Sequence, residues 1–328
     1  MKALIFEKRG IENLEIRDIP SSSMREDEVR LKVKLASINP VDLMAVETLP
    51  VSPVPHVPGS EFYGVVEEVG SKVTHVSVGD RVAVYTRLFD GTCASCMRGD
   101  QTYCINGKRI GVESQGGYAE EVVIPGRNVF NSDLPEEILS SLPIAILTPF
   151  HALRSAQAGV DDIVVVLGAS GNTGMFAVQL AKRMGARVIA VSTKPWVKEL
   201  GADEIVDYSS AEEEVKRLTD GRMGSIVINS LGEKYWELGL KLVGNHGKVV
   251  TFGGLTGGKV SFDVNRLYAK HVTIMGTNRG TVGEFLELLR LARNLKVKVH
   301  RYFNLDEARE AFREFKEGRR DGRIFIRI

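Results

Sequence analysis

One seven-residue segment, Gly168-Ala169-Ser170-Gly171-Asn172-Thr173-Gly174, constrains the fold of this chain more than any other. It follows the apolar run Asp161-Asp162-Ile163-Val164-Val165-Val166-Leu167 and precedes a stretch of helical apolar period from Met175 to Gly185. Such a run suits a strand buried on both faces of a parallel sheet. Glycines between strand and helix let the backbone turn tightly, approach a pyrophosphate and pack the helix on the strand. The N–H groups that open the helix, with its positive dipole end, favour an anion. A glycine triplet alone can be an ordinary tight turn, and the setting gives it weight. Four more strand-like runs, Arg187–Val191, Glu204–Asp207, Ser225–Ile228 and Lys248–Phe252, alternate with helical segments. Alternation of this kind predicts an α/β fold with a doubly wound parallel sheet that binds a nucleotide. Gly168, Ser170, Gly171, Asn172, Thr173 and Gly174 are the expected cofactor-binding residues, joined by Gly253 just past the last run.

The end of the second strand bears on which nucleotide is bound. An NAD site usually carries an acid there for the ribose 2′-OH. Here the strand ends Val191-Ser192-Thr193-Lys194, without one. Ser192 and Thr193 can donate to a 2′-phosphate and Lys194 adds positive charge, so NADP(H) is expected over NAD(H). The alternative is that Lys194 is a solvated loop lysine.

Residues 1 to about 125 follow another pattern. Val29–Leu35 alternates apolar and polar residues as a half-buried strand does. Tyr63–Gly70 and Asp80–Tyr85 are similar short runs, and prolines between Pro50 and Pro58 mark a long loop. Within this part stand Asp90, Cys93, Cys96 and Cys104, spaced D-x2-C-x2-C-x7-C. Three thiolates and a carboxylate can close a tetrahedron around zinc. Four protein ligands leave no open position, so one structural zinc per chain is expected, and these are all the cysteines of the chain. The alternatives are a C-x2-C in a plain loop with Asp90 as a turn acid, or a disulfide, although three cysteines cannot all pair.

Composition excludes several classes. With 328 residues and 43 % hydrophobic content the chain can build two cores. A net charge of +1 gives no electrostatic case for nucleic acid or an anionic membrane. No stretch reaches the roughly 18 apolar residues of a membrane span, and Met1–Phe6 is too short and too quickly charged for a leader. The expectation is a cytoplasmic protein. Abundant Lys, Arg and Glu with little Gln lean towards a thermophile.

Several segments together carry a resemblance. Pro58-Gly59-Ser60-Glu61-Phe62-Tyr63-Gly64-Val65-Val66, Val78-Gly79-Asp80-Arg81-Val82, Gly116-Gly117-Tyr118-Ala119-Glu120 and the cysteine segment are similar to signature stretches of the medium-chain dehydrogenase/reductase superfamily. That superfamily includes zinc alcohol dehydrogenases and quinone oxidoreductases. The resemblance covers essentially the whole chain and implies a GroES-like β-rich catalytic domain over residues 1–130, with its zinc lobe at about 88–106. A Rossmann nucleotide-binding domain over 131–270 would follow. Residues 271–328 would end the nucleotide domain and return to the first through the strand Arg323–Ile328. The resemblance also implies Thr148 at the nicotinamide, Arg323 at the pyrophosphate and a homodimer or homotetramer through the edge near His271–Met275.

The departures from the family are informative. The three positions that hold catalytic zinc in metal-dependent members read Asn39, Ser60 and Ile144. An amide oxygen and a hydroxyl are poor zinc ligands, and Ile144 is none. Glu61 is kept. Asn39-Pro40-Val41-Asp42 resembles the N-x-x-D stretch of zinc-free quinone and alkenal reductases, and Asp90-Gly91-Thr92-Cys93 has a local likeness to archaeal acryloyl-CoA reductases. Asn39, Asp42, Ser60 and Glu61 are therefore the candidate catalytic residues. The implied function is NADP(H)-dependent reduction of a conjugated carbonyl, enoyl thioester or quinone, with small molecules as the only expected partners besides the chain itself. A zinc alcohol dehydrogenase with unusual ligands and a catalytically silent NADP(H)-binding protein are the alternatives. His56, His151, Tyr63 and Tyr118 lie near the signature segments but read more simply as wall or packing residues.

Overall fold

The computed structural model describes residues 1–328, which form two compact units. The first comprises Met1–Ile144 and Thr281–Ile328, the second Ala145–Gly280. The first boundary lies later than the expected 130/131, and residues 271–280 end the second unit before the chain returns to the first. The helix Glu136–Ser141 buries Ile138 and Leu139 within the first unit, and the strand Thr273–Gly276 completes the sheet of the second.

The first unit is built on a seven-stranded sheet. Along it run Val299–Asn304, Arg323–Arg327, Glu28–Ser37, Phe62–Val69, Arg81–Val84 and Val129–Asn131, with Glu121–Pro125 also paired to Glu28–Ser37. The alternation read in Glu28–Ser37 orders its faces: Val29, Leu31, Val33 and Leu35 are fully buried while Lys32 is exposed. Its side chains join those of Phe62, Val66, Val82 and Val84 in the main core. The C-terminal strand returns antiparallel to it, with Phe325 opposite Ser37 and Ile326 opposite Ala36. That pairing sets residue 323 beside the first third of the chain.

The second unit holds a six-stranded, all-parallel sheet. Its spatial order is Glu204–Val206, Arg187–Val191, Ile163–Leu167, Gly224–Asn229, Val243–Thr251, Thr273–Gly276. Numbered in sequence, that is the 3-2-1-4-5-6 order of a Rossmann sheet, which reverses beside its first strand. Every residue of Ile163–Leu167 is buried, as the apolar run requires. The helices Gly174–Arg183, Ala211–Leu218, Trp236–Leu242 and Val264–Lys270 lie between successive strands in the chain. No helix is long and apolar enough to cross a membrane.

Candidate functional site

Three constellations bring the expected residues together. The first is the lobe between the strand Arg87–Leu88 and the strand Lys108–Arg109. The ligand atoms of Asp90, Cys93, Cys96 and Cys104 lie within 4.8 Å of one another. Gly91, at φ +80°, makes the turn that aims Asp90 back at the cysteines. The carboxylate is held from its own loop. Oδ1 accepts from the amides of Thr92 (2.7 Å) and Cys93 (2.9 Å), and Oδ2 accepts from the Asn106 side chain (2.7 Å). These bonds, led by the Cys93 amide, hold the Asp90 carboxyl well below the usual range. Burial pushes the Cys96 thiol up to about 12, whereas the backbone amide of Cys96 lowers that of Cys93. A divalent cation reverses the first effect, since ligating thiols are deprotonated. A closed set of three sulfurs and one oxygen fits a structural zinc.

The second constellation is a buried polar network in the same unit. The Glu61 carboxylate, fully buried, accepts at Oε2 from Ser37 Oγ (2.5 Å), from Asn39 Nδ2 (2.6 Å) and from the guanidinium of Arg323. Its Oε1 accepts from the backbone N–H of Ile144 at 2.9 Å. Arg323 also donates to Ser37 Oγ at 2.7 Å. Asp42 caps the helix Pro40–Glu47 from inside, accepting the amides of Asn39 and Ser60 at 2.8 Å each. Burial raises its carboxyl to about 6, against the opposing hydrogen bonds from Ser60 and Asn39. Tyr118 donates to the Ser37 carbonyl at 2.9 Å, and its hydroxyl is raised well above the usual range by burial and by the charges of Asp42 and Glu61. Ser60 Oγ is buried with no hydrogen-bond partner.

The network bears on two expectations. Arg323 was expected at the pyrophosphate; its guanidinium is instead fully buried on Glu61, because a buried carboxylate needs a counter-charge. Asn39, a candidate catalytic residue, commits one N–H of Nδ2 to Glu61. Ser37 was missed altogether, since a serine in an ordinary strand carries no signal. Tyr63 donates to Glu136 at 3.0 Å, and burial pushes its hydroxyl up to about 12, which suits a wall residue better than an acid. His56 sits with both ring nitrogens against carbonyls of Pro53 and Gly111, and burial lowers its pKa.

The third constellation stands at the carboxyl end of the parallel sheet of the second unit. Gly168, at φ +72°, opens the loop, and Gly171 N bonds back to its carbonyl at 2.8 Å. A Cβ on Gly174 would meet that carbonyl oxygen at 2.0 Å, so only glycine can begin the helix there. Ser170 and Thr173 are partly exposed and Asn172 is buried. This cradle ahead of the helix Gly174–Arg183 fits a pyrophosphate. Ser192 is not displayed as expected: it is buried, and its Oγ accepts from the amide of Lys194 at 3.0 Å, an ordinary local turn. Thr193 is exposed and Lys194 partly so. Thr148 lies buried in the helix Leu147–Ser155, while Gly253 is exposed beyond Val243–Thr251.

Comparison with known proteins agrees with this architecture. Residues 25–136 match the alcohol dehydrogenase GroES-like domain and residues 173–294 the zinc-binding dehydrogenase domain. An NAD-dependent alcohol dehydrogenase of Sulfolobus acidocaldarius is 32 % identical, with both chains covered completely. The chain belongs to the medium-chain dehydrogenase/reductase superfamily. It is therefore an oxidoreductase of alcohol dehydrogenase type, from a family that uses zinc and a nicotinamide cofactor. Among other medium-chain relatives, an acryloyl-coenzyme A reductase of Sulfurisphaera tokodaii is 26 % identical over both full lengths. A cobalt- and zinc-bound thermostable alcohol dehydrogenase from Pyrobaculum aerophilum superposes with a TM-score of 0.94 at 35 % identity, covering 100 % of this chain and 99 % of that one.

Proposed function

We propose that this medium-chain enzyme is an NADP(H)-dependent reductase of a conjugated carbonyl, enoyl thioester or quinone, with one structural zinc and no catalytic metal. One observation carries the reading. The three positions that would ligate a catalytic metal hold Asn39, Ser60 and Ile144, and the remaining carboxylate, Glu61, is neutralised by Arg323. An alcohol is oxidised only after its proton is removed, a step that bound zinc normally assists. Adding hydride to an activated C=C or a quinone ring instead places charge on a delocalised oxygen, for which a neutral donor suffices. A bound nicotinamide supplies the hydride. The chain's own residues do the rest. The Gly168–Gly174 loop takes the pyrophosphate, Glu61 orients the Asn39 side chain, and the Asn39 amide is the neutral donor to the substrate oxygen. The likeness to an acryloyl-coenzyme A reductase supports the substrate class.

The deciding experiment follows NADPH and NADH absorbance with a panel of enones, enoyl thioesters, quinones and simple alcohols. Turnover of the conjugated substrates with NADPH is expected. Alcohol oxidation that vanishes with a chelator would install the zinc alcohol dehydrogenase reading, which the name of the Sulfolobus relative favours. Binding without turnover would indicate a silent nucleotide-binding protein. For the nucleotide itself, the absence of an acid after Val191 and the charge of Lys194 favour NADPH. Lys194→Ala should weaken NADPH by about 1.5 to 3 kcal/mol and leave NADH nearly unchanged; equal losses would refute the assignment. The edge strand Thr273–Gly276 favours pairing with a second copy, as a homodimer or a tetramer of dimers, which light scattering at micromolar concentration tests.

A further inference from the structure

The hydrogen bonds around Asp90 say more about the metal lobe than its ligand count does. An ionised carboxylate offers about four lone-pair positions, two on each oxygen. On Asp90, Oδ1 uses both, one for the amide of Thr92 and one for the amide of Cys93. Oδ2 uses one, for Asn106 Nδ2 at 2.7 Å. A single position on Oδ2 is left for a cation. The backbone on either side is fixed as well. Asp90 N donates to Cys104 Sγ at 3.3 Å, and the Asp90 carbonyl accepts from Arg127 Nη1 at 2.6 Å. Arg127 in turn pairs with Asp27 at 3.3 Å, outside the lobe. Main-chain donors and an arginine therefore set where Asp90 stands, and one side chain from the far side of the cysteine loop sets which face of its carboxylate is open.

We propose that Asn106 is a positioning residue of the metal centre: with Oδ1 taken by the Thr92 and Cys93 amides, Asn106 occupies one lone pair of Oδ2 and so fixes the direction in which that oxygen meets the cation. This rests on the reading of the lobe as a zinc site. Two consequences follow from the chemistry of the donors. Without the Asn106 amide, Oδ2 regains a lone pair, and Asp90 can turn that oxygen away from the cation or give way to water. A looser hard donor beside three thiolates opens the tetrahedron to attack by a chelator. Partners in the second shell of a metal typically contribute about 10- to 100-fold in affinity. The spacing is specific, since Asn106 lies two residues after Cys104, so the last ligand and the outer partner of the first arrive on one short loop.

The test uses the full chain purified with zinc, and reads zinc release to a chromogenic chelator alongside the absorption spectrum of the cobalt(II)-substituted protein. Asn106→Ala is expected to accelerate release about 10- to 100-fold and to change the cobalt d–d bands, with the metal content at saturation unchanged. Asp90→Ala should release faster still. The double variant Asp90→Ala, Asn106→Ala should match Asp90→Ala alone, because Asn106 acts through Asp90. Asn106→Asp, which sets a like charge against the carboxylate, should release faster than Asn106→Ala. Wild-type release rate and spectrum in Asn106→Ala would overturn the proposal. So would an Asn106 effect that persists undiminished without Asp90, which would mark a general loosening of the loop. Wild-type protein that takes up neither zinc nor cobalt would refute the metal reading of the lobe itself, a separate result.

Discussion

The first unit contains two places where this superfamily can hold a metal, and they have been treated in opposite ways. In the lobe at 90–104 four donors converge within 4.8 Å, and the carboxylate among them is aimed by hydrogen bonds and left with a negative charge. At Asn39, Ser60 and Ile144 the donors are gone, and the one carboxylate nearby is surrounded by Ser37, Asn39, Arg323 and the Ile144 amide. A carboxylate becomes a ligand when its partners orient it without cancelling it. It becomes a structural pivot when a guanidinium cancels it. At Glu61 the chain itself supplies the counter-charge, through Arg323.

Four substitutions or conditions can break or sharpen that contrast. The largest effect belongs to the lobe. Cys96→Ser should take the metal content from about one zinc per chain towards zero and lower thermal stability, because binding energy at a structural zinc is folding energy. Elemental analysis and a melting curve check this, and two tightly bound zincs in the wild type would erase the contrast. Next comes the internal cation. Arg323→Met leaves Glu61 buried without its counter-charge and should cost about 3 to 5 kcal/mol of stability, measured by urea unfolding. A neutral outcome would mean that the pair is dispensable. Third, Asn39→Ala should lower turnover of a conjugated substrate by roughly 10² to 10³ while NADPH affinity holds. If both parameters fall together, the residue is part of the scaffold only.

The smallest effect is one of pH. Burial raises Asp42 to about 6, above the 3.8 of an exposed carboxyl. A group whose folded pKa is raised favours the native state when protonated. Its contribution is present in full below about 3.8 and is lost as pH rises through about 6. Between those limits wild type should gain stability relative to Asp42→Asn as pH falls, by on the order of 2 kcal/mol. Unfolding curves of the two proteins at pH 4.5 and 7.5 give the difference, and parallel behaviour would show that Asp42 is not buried as a charge.

What the sequence made legible depended on distance along the chain. The strand runs, the Gly168–Gly174 turn and the superfamily itself were readable because each signal lies within a few adjacent residues, and the parallel sheet has the expected kind. The lobe donors span only Asp90 to Cys104, so their spacing alone suggested that they meet. Arg323 was different. The family resemblance implied a phosphate ligand, and only the pairing of Phe325 with Ser37 reveals that its guanidinium points into the core beside Glu61. Ser192 is buried, with its Oγ accepting from the amide two residues on, an arrangement that its place in the strand end does not announce. Ser37 and Asn106 carry no pattern of their own; each matters through the carboxylate it touches.

The C-terminal strand has a consequence for how the molecule is made. Glu61 and Arg323 are 262 residues apart, and the whole second unit is synthesised between them. A ribosome therefore releases a first unit whose central acid has no cation until the chain has nearly all emerged. The second unit is continuous from Ala145 to Gly280, so all of it is made before Arg323 is added. The ion pair on the central acid of the first unit is thus completed by the last strand of the chain, Arg323–Arg327.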